Sequence, residues 1–274
     1  MDESVLYALA AGVLQGVFEW LPISSEGNVS LFMTVVAGVA PSSAVQLSLF
    51  LHAGTAVAAT AYYRDVIADA LFRLPDWRPG SAFDADTADL SFLAVATLAS
   101  AATGGVAYLA LDEVVTALTG GAFVALIGAL LVLTGVLQRT ASGIALGEKD
   151  DPGLVDALLV GAAQGVAVLP GVSRSGTTVS VLLFRGHDGP DSFRLSFLLS
   201  IPAAFGAGLL VVLDAGGLPS VGLQAAVVAL AASAVVGYLT IDALMRVVHR
   251  VAFWGVCVGL GLLAMVGGFL LVLA

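Results

Sequence analysis

Two short polar motifs contain the residues whose types and spacing could support phosphate chemistry. Residues 12–27 read GVLQGVFEWLPISSEG, and residues 161–176 read GAAQGVAVLPGVSRSG. Each motif combines a helix-breaking proline with glycines and serines, so backbone N–H groups and hydroxyls become free to bind an anion. Arg174 adds a guanidinium that can hold two phosphate oxygens through parallel N–H bonds. Together these residue types indicate a phosphate-binding site.

Acidic side chains accompany the first motif. Glu19 lies four residues after Gln15, so on a helix the two side chains share one face and could hold a divalent cation, Mg²⁺ or Ca²⁺. Arg174 could instead form a structural ion pair with Glu19 or Glu26. The motif serines have three open interpretations, as nucleophiles, phosphate donors or helix caps. They are Ser24, Ser25, Ser173 and Ser175.

The composition places these motifs in a membrane protein. Apolar residues make up 59% of the 274 residues and charged residues only 11%, whereas soluble domains carry about 25% charged residues. Six apolar runs are long enough to cross a bilayer, which takes about 20 residues. The runs are 44–63, 91–111, 120–138, 192–213, 221–241 and 252–273. A large soluble core is excluded because these runs have no polar outer faces.

The two motifs interrupt the remaining apolar stretches, 4–38 and 154–185. Each interrupted piece is too short to span a bilayer, so we expect two re-entrant helix pairs. Three full spans follow each motif, and this odd number predicts that the second copy enters from the opposite face. The sequence therefore predicts an all-α integral membrane protein with an inverted-topology repeat and six full transmembrane helices. We expect a single membrane domain with halves 4–138 and 154–273.

The basic residues predict the orientation. Nine of the ten fall on one side of this path: Arg64, Arg73, Arg78, Arg139, Lys149, Arg185, Arg194, Arg246 and Arg250. Basic loops face the cytoplasm, so we expect both termini outside a plasma membrane. Arg174 is the tenth and lies at membrane depth, where ionisable groups are typically functional. His52 lies outside both motifs, and we expect a packed or solvated role for it.

The net charge of −10 leaves two interpretations open. The host could be adapted to high salt, or the acidic loops could have no functional meaning. We expect the membrane and no nucleic acid as partner, and no oligomeric state is assigned.

The motifs resemble those of the undecaprenyl-diphosphate phosphatase family of the bacitracin-resistance type. That family has a Gln/Glu-x-x-x-Glu segment running into Pro-x-Ser-Ser-x-Gly, here residues 15–27. It also has Pro-Gly-x-Ser-Arg-Ser-Gly, here residues 170–176. Stretches 51–66, 193–210 and 238–261 look similar too, so the resemblance covers nearly the whole chain.

The resemblance implies hydrolysis of a C55 isoprenoid diphosphate to the monophosphate at the outer membrane face. By position, Glu19 and Gln15 would help to bind a metal ion or to orient water, Ser25 would be a candidate nucleophile, and Arg174 would clamp phosphate. The expected substrate-binding residues are Ser24, Gly27, Asn28, Ser173, Ser175, Gly176 and Thr177.

Two departures from the family pattern bear on this expectation. Asn28 stands where the family usually has histidine, and asparagine cannot relay a proton. Glu26 stands where the family usually has a third serine. A flippase for the lipid monophosphate is therefore the alternative, since broken helices in inverted repeats are the usual transporter plan. The isoprenoid length stays open, with a dolichol-type lipid expected if the host is archaeal.

Overall fold

The computed structural model describes residues 3–118, 120–141, 143, 149–214, 222–248 and 250–273, except the side chains of 112, 114 and 116. Within these residues the chain is helical and contains no strand. Six helices are long and apolar enough to cross a membrane, which confirms the predicted spans. They are α3 (Pro41–Tyr62), α5 (Ala88–Ala117), α6 (Gly120–Ala141), α9 (Gly189–Asp214), α10 (Leu223–Val248) and α11 (Phe253–Leu273). The chain is a multi-pass membrane protein.

Some helices extend beyond the apolar runs that predict them. The predicted apolar run 221–241 is shorter than α10, which continues to Val248 and includes Asp242 and Arg246. A helix satisfies its own backbone hydrogen bonds and can therefore continue into water on polar residues. The predicted outward termini, residues 1, 2 and 274, lie outside the described residues.

Each motif lies at a break between two short helices. In the first half, α1 (Glu3–Phe18) is followed by α2 (Ser25–Leu31) and a π-helical turn (Phe32–Val36). In the second half, α7 (Leu154–Val166) is followed by α8 (Arg174–Phe184). The 16 residues of α1 cover about 24 Å, less than the roughly 30 Å of a bilayer core. The short paired helices are therefore as expected. The remaining helix, α4 (Arg64–Phe72), lies in the long loop after α3.

Matching glycines attach each short helix to the opposite half. A Cβ at Gly12 of α1 would lie 2.2 Å from the Ala229 oxygen of α10. A Cβ at Gly161 of α7 would lie 2.3 Å from the Ala96 oxygen of α5. Gly-x-x-x-Gly spacing gives such close helix approach in membranes. The first short helix of each half, α1 or α7, therefore packs against a long helix of the other half. This matching arrangement supports the repeat, and its inverted orientation stays a prediction.

Substitution of Gly161 by valine is expected to lower the stability of the protein by about 1–3 kcal/mol, because the added side chain must displace the α5 backbone. Thermal unfolding in detergent measures the loss. Gly259→Val on α11 is the matched control, since no heavy atom lies within 4 Å of a Cβ there. Equal unfolding midpoints for the two variants would contradict the close packing of α7 on α5.

The link between the halves is attached at the start of α7. Asp156 is fully buried and accepts hydrogen bonds from Gly153 N at 2.8 Å and Arg185 Nε at 2.6 Å. Lys149 Nζ donates a third. Burial raises the pKa of Asp156, but the bonds from Lys149 and Arg185 outweigh burial and lower the pKa to about 2. The ionised carboxylate therefore connects the link to both α7 and α8.

The acid stability of the protein should depend on Asp156. Because its pKa is lowered on folding from the ordinary 3.8 to about 2, its contribution is complete above pH 3.8. The contribution is lost as pH falls from there towards 2. Asp156→Asn should therefore lower stability at neutral pH and flatten this part of the acid unfolding curve. Asp65→Asn, which removes an exposed carboxylate, should leave the curve unchanged.

Candidate active site

The two breaks touch each other at the centre of the molecule. Ser24 Oγ accepts hydrogen bonds from Gly27 N at 3.2 Å and from Gly171 N at 3.0 Å. Ser24 has a left-handed φ of 61°, and Gly171 has a φ of 104°. A Cβ at Gly27 would lie 2.7 Å from Gly171 N. Ser24 therefore joins the two motifs.

Glu19 makes the central contacts of the polar cluster at this junction. Its Oε1 lies 2.5 Å from Arg174 Nη2, across 155 positions of sequence. Its Oε2 accepts hydrogen bonds from Ser25 Oγ and Gln15 Nε2, each at 2.9 Å. The three expected catalytic residues, Glu19, Ser25 and Arg174, therefore lie together. Ser25 donates to the carboxylate, which is the arrangement in which a base can take the hydroxyl proton.

His52 is packed rather than solvated, one of the two roles expected for it, and its neighbour is Glu19 of the same cluster. Its Nε2 lies 3.4 Å from Glu19 Oε2, and its Nδ1 lies 2.8 Å from the Ser48 oxygen. A carbonyl can only accept, so Nδ1–H donates and the Nε2 edge faces Glu19. The available sequence signal was the polar spacing of Ser48, His52 and Thr55, one helix face of an otherwise apolar span.

Arg174 is positioned at the first turn of α8. Its Nη1 lies 3.5 Å from the Ser196 oxygen, and its guanidinium carbon lies 5.7 Å from the centre of the Phe197 ring. Ser173 caps the helix by accepting from Gly176 N at 3.1 Å. The cation and the positive end of α8 are thus at one place, which suits a phosphate group.

Helix α6 supports both breaks through two polar residues that lie outside both motifs. Gln138 Nε2 donates to the Pro22 oxygen at 2.7 Å. Thr134 Oγ1 donates to the Gly171 oxygen and accepts from Ser173 N, each at 3.2 Å. Irregular backbone within a membrane needs such partners. The two residues lie four apart in an apolar run, which was the only signal available in the sequence.

The cluster lines a polar cavity of about 20 Å³. Its lining residues are Glu19, Leu21, Ser24, Ser25, Glu26, His52, Ala167, Val172, Ser173, Arg174 and Ser175. A second cavity of about 300 Å³ lies between α3, α5, α7 and α9 and is mostly apolar. Glu26, His52, Ala167 and Arg174 line both cavities. A polar pocket therefore adjoins an apolar chamber, as an amphiphilic ligand would require.

The expected substrate-binding residues divide into two groups. Ser24, Ser173 and Ser175 line the polar cavity, and a binding role for them stays a prediction. The others, Gly27, Asn28, Gly176 and Thr177, do not line it. Asn28 Nδ2 donates to the Ile23 oxygen at 2.7 Å and the Ser24 oxygen at 2.9 Å, so this amide stabilises the turn.

Gln15 and Glu19, the expected metal ligands, do not present two oxygen atoms to one point. Gln15 turns its amide nitrogen, not its oxygen, towards Glu19, and Gln15 does not line the cavity. Among the described residues no group of three or more His, Cys, Asp or Glu residues is placed to hold a metal ion. Glu19 and Glu26 both line the cavity, however, and carboxylates suit Mg²⁺ or Ca²⁺, since Mg²⁺ usually completes its shell with phosphate and water. The donor set therefore fits a divalent cation that is partly bound by a phosphate ligand.

Comparisons with known proteins identify the family of the chain. The sequence profile of the family described as Bacitracin resistance protein BacA matches residues 8–265. A protein of Haloarcula marismortui named undecaprenyl-diphosphatase is 57% identical, over 98% of this chain and 99% of its own length. Proteins of the same name from Methanococcoides burtonii and Geobacter sulfurreducens are 39% and 35% identical, over 97% and 91% of this chain and 99% and 92% of their own lengths. The chain belongs to the bacitracin resistance protein BacA family.

Proposed function

We propose that the protein is a polyprenyl-diphosphate phosphatase, which hydrolyses a lipid diphosphate to the lipid monophosphate and phosphate. The observation that carries the proposal is the contact of Glu19 with both Ser25 and Arg174 beside a large apolar chamber. A nucleophile, a base and a phosphate-binding cation thus meet where a lipid tail has space. The name undecaprenyl-diphosphatase of three relatives supports the same substrate class.

Each residue has a role that its geometry allows. The apolar chamber holds the first isoprenoid units, and Arg174 with the α8 N-terminus binds the phosphate oxygens. The Ser25 oxygen bonds to the terminal phosphorus while the bond from that phosphorus to the bridging oxygen breaks. Glu19 takes the serine proton, and the lipid monophosphate leaves with the bridging oxygen. Water then attacks the phosphorus of the phosphoserine while the bond from that phosphorus to the Ser25 oxygen breaks, Glu19 returns its proton to Ser25, and phosphate is released. In the alternative route, Ser25 orients a water molecule that attacks directly.

A divalent cation, Mg²⁺ or Ca²⁺, is part of the proposal because of the charge in the cavity. Glu19 and Glu26 are carboxylates against the single guanidinium of Arg174, and all three line the polar cavity. A diphosphate adds further negative charge, and buried anions without counter-charges are costly. When bound beside Glu19 and Glu26, the cation would neutralise this charge and polarise the phosphoryl group.

The direct test is phosphate release by the purified protein from a C55 polyprenyl diphosphate in detergent. We expect release that a chelator stops and that added Mg²⁺ or Ca²⁺ restores. Absence of release from polyprenyl diphosphates of every length tested would overturn the proposal. Translocation of the lipid monophosphate in liposomes without any hydrolysis would instead favour the flippase.

Replacement of Ser25 by alanine separates the two chemical routes. If Ser25 is the nucleophile, the rate of phosphate release should fall by at least about a thousandfold, and no phosphoserine should form. The wild-type protein should then show a covalent phosphate on Ser25 after rapid acid quenching of a turnover with labelled lipid. A loss of only about tenfold in Ser25→Ala, with no trapped phosphate in the wild type, would assign the attack to water.

We also propose that the protein lies in the plasma membrane with its basic loops in the cytoplasm and both termini outside. In this proposal, helices α5 and α9 both begin on the cytoplasmic side. In support, Arg194 near the start of α9 pairs with Asp89 at the start of α5 at 2.5 Å. At the other ends, Tyr108 donates to Asp214 at 3.0 Å. Cysteines introduced at Glu3 and Asp65 test the orientation. An impermeant maleimide should label only the first in intact cells, and the reverse pattern would contradict the proposal.

A further inference from the structure

Glu26 is a buried carboxylate of the polar cavity that neither attacks the phosphorus nor takes the serine proton in the proposed reaction. Glu26 is only 4% exposed. Its Oε1 has no hydrogen-bond partner among the described residues. Native proteins leave few buried polar atoms unpaired, because each one costs free energy. The free oxygen of Glu26 therefore points to a ligand that binds there.

The position of Glu26 narrows the kind of ligand. Glu26 lines both the polar cavity and the apolar chamber, so its side chain lies where the two meet. Its backbone oxygen accepts from Ser48 Oγ at 3.3 Å, which fixes the main chain beside α3. A headgroup that lies in the polar cavity with its tail in the chamber must pass this carboxylate. An ionised Glu26 would repel both Glu19 and the phosphate, so its charge must be balanced by a proton or by a cation, and of the two a cation can also hold the phosphate.

The other carboxylate of the polar cavity, Glu19, has both of its oxygens bound. Glu19 Oε1 pairs with Arg174, and its Oε2 accepts from both Ser25 and Gln15. The Oε1 of Gln15 has no partner, but Gln15 does not line the cavity. Glu26 is thus the cavity carboxylate in the described part of the chain with an oxygen free to bind. An oxygen ligand of this kind suits a hard cation such as Mg²⁺ or Mn²⁺.

We propose that Glu26, and not Gln15, is the side chain that anchors the divalent cation in the polar cavity. The purpose of this cation rests on the proposed phosphatase function, but its binding to the protein alone does not. The predicted helical pair Gln15 and Glu19 would then serve to orient Glu19, through the amide nitrogen of Gln15.

The test measures binding of Mn²⁺ alone, by electron paramagnetic resonance of the free ion, to purified protein without lipid substrate. We expect the dissociation constant for Mn²⁺ to rise at least about tenfold in Glu26→Gln, which keeps the side-chain volume and removes the charge. Gln15→Met, which removes the amide, should raise it by a smaller factor than Glu26→Gln does. Asp65→Asn, which removes an exposed carboxylate, corrects for binding at the surface. Thermal unfolding confirms that each variant is folded, and Glu26→Asp, with a shorter carboxylate, should bind with intermediate affinity.

The outcomes separate this inference from the proposed function. Equal Mn²⁺ affinity in the wild type and Glu26→Gln would overturn the inference, as would a larger loss in Gln15→Met, while phosphate release by the wild type would still stand. Mn²⁺ binding that depends on Glu26 in a protein that releases no phosphate would support the cation site and refute the phosphatase. A wild-type protein that releases phosphate but binds no Mn²⁺ would also overturn the inference.

Discussion

Arg174→Ala is expected to reduce phosphate release from a polyprenyl diphosphate by at least about a thousandfold, as loss of a transition-state arginine does in other phosphoryl transfers. The guanidinium lies at the α8 N-terminus and faces the polar cavity, so no other described cation replaces it there. The variant also leaves Glu19 buried without its partner, at a cost of about 3–5 kcal/mol. The measurement is therefore the initial rate per folded molecule.

Two controls separate the chemistry of Arg174 from its structural part. Arg174→Lys keeps a charge near Glu19 but loses the two parallel N–H bonds, so we expect better stability than in the alanine variant with little recovery of rate. Arg246→Ala removes a surface arginine whose partner is Asp242 and whose side chain is 70% exposed, and should change neither property. Wild-type rates in Arg174→Ala would remove the basis of the proposed site.

Glu19→Gln is expected to lower the rate of phosphate release by about a hundredfold to ten thousandfold, the usual contribution of a general base. The amide fills the same space but cannot take the Ser25 proton, and it weakens the pairing with Arg174. Single-turnover rates at saturating lipid measure the chemical step separately from binding.

The matched control for Glu19→Gln is Glu3→Gln, at an exposed glutamate of the same helix whose partner is Tyr7. It should release phosphate at the wild-type rate. If Glu19→Gln were as fast as this control in a single turnover, the base would have to be another group, and His52, at 3.4 Å from Glu19, would be the next residue to replace.

The sequence was most informative about features that depend on neighbouring residues. An apolar run of about 20 residues favours a membrane span by its summed transfer free energy, whatever the rest of the chain does. The breaks at Pro22 and Pro170 could likewise be predicted from the local sequence, because a proline removes a hydrogen bond of its own helix. Arg174 could be selected as a candidate site residue from the sequence, because a guanidinium within the membrane is costly and is typically functional.

The sequence was least informative about which side chains face each other. His52 and Gln138 lie outside both motifs, and only the packing of α3 and α6 against the breaks brings them to Glu19 and Pro22. Asn28 lies within a motif, yet its amide points into its own turn. Helical spacing placed Gln15 beside Glu19 correctly, but it could not tell which atom of the amide would face the carboxylate.

The sequence by itself determined that the chain crosses a membrane, where its helices break, and which residue types gather at the breaks, because burial of apolar side chains and loss of helical hydrogen bonds are decided within one or two turns. The tertiary structure alone decided that Ser24 bonds to Gly171, that Arg174 pairs with Glu19, and that Glu26 keeps a free oxygen beside an apolar chamber. These contacts join residues far apart in sequence. Their distances depend on how helices pack through glycines and small side chains, which no local pattern specifies.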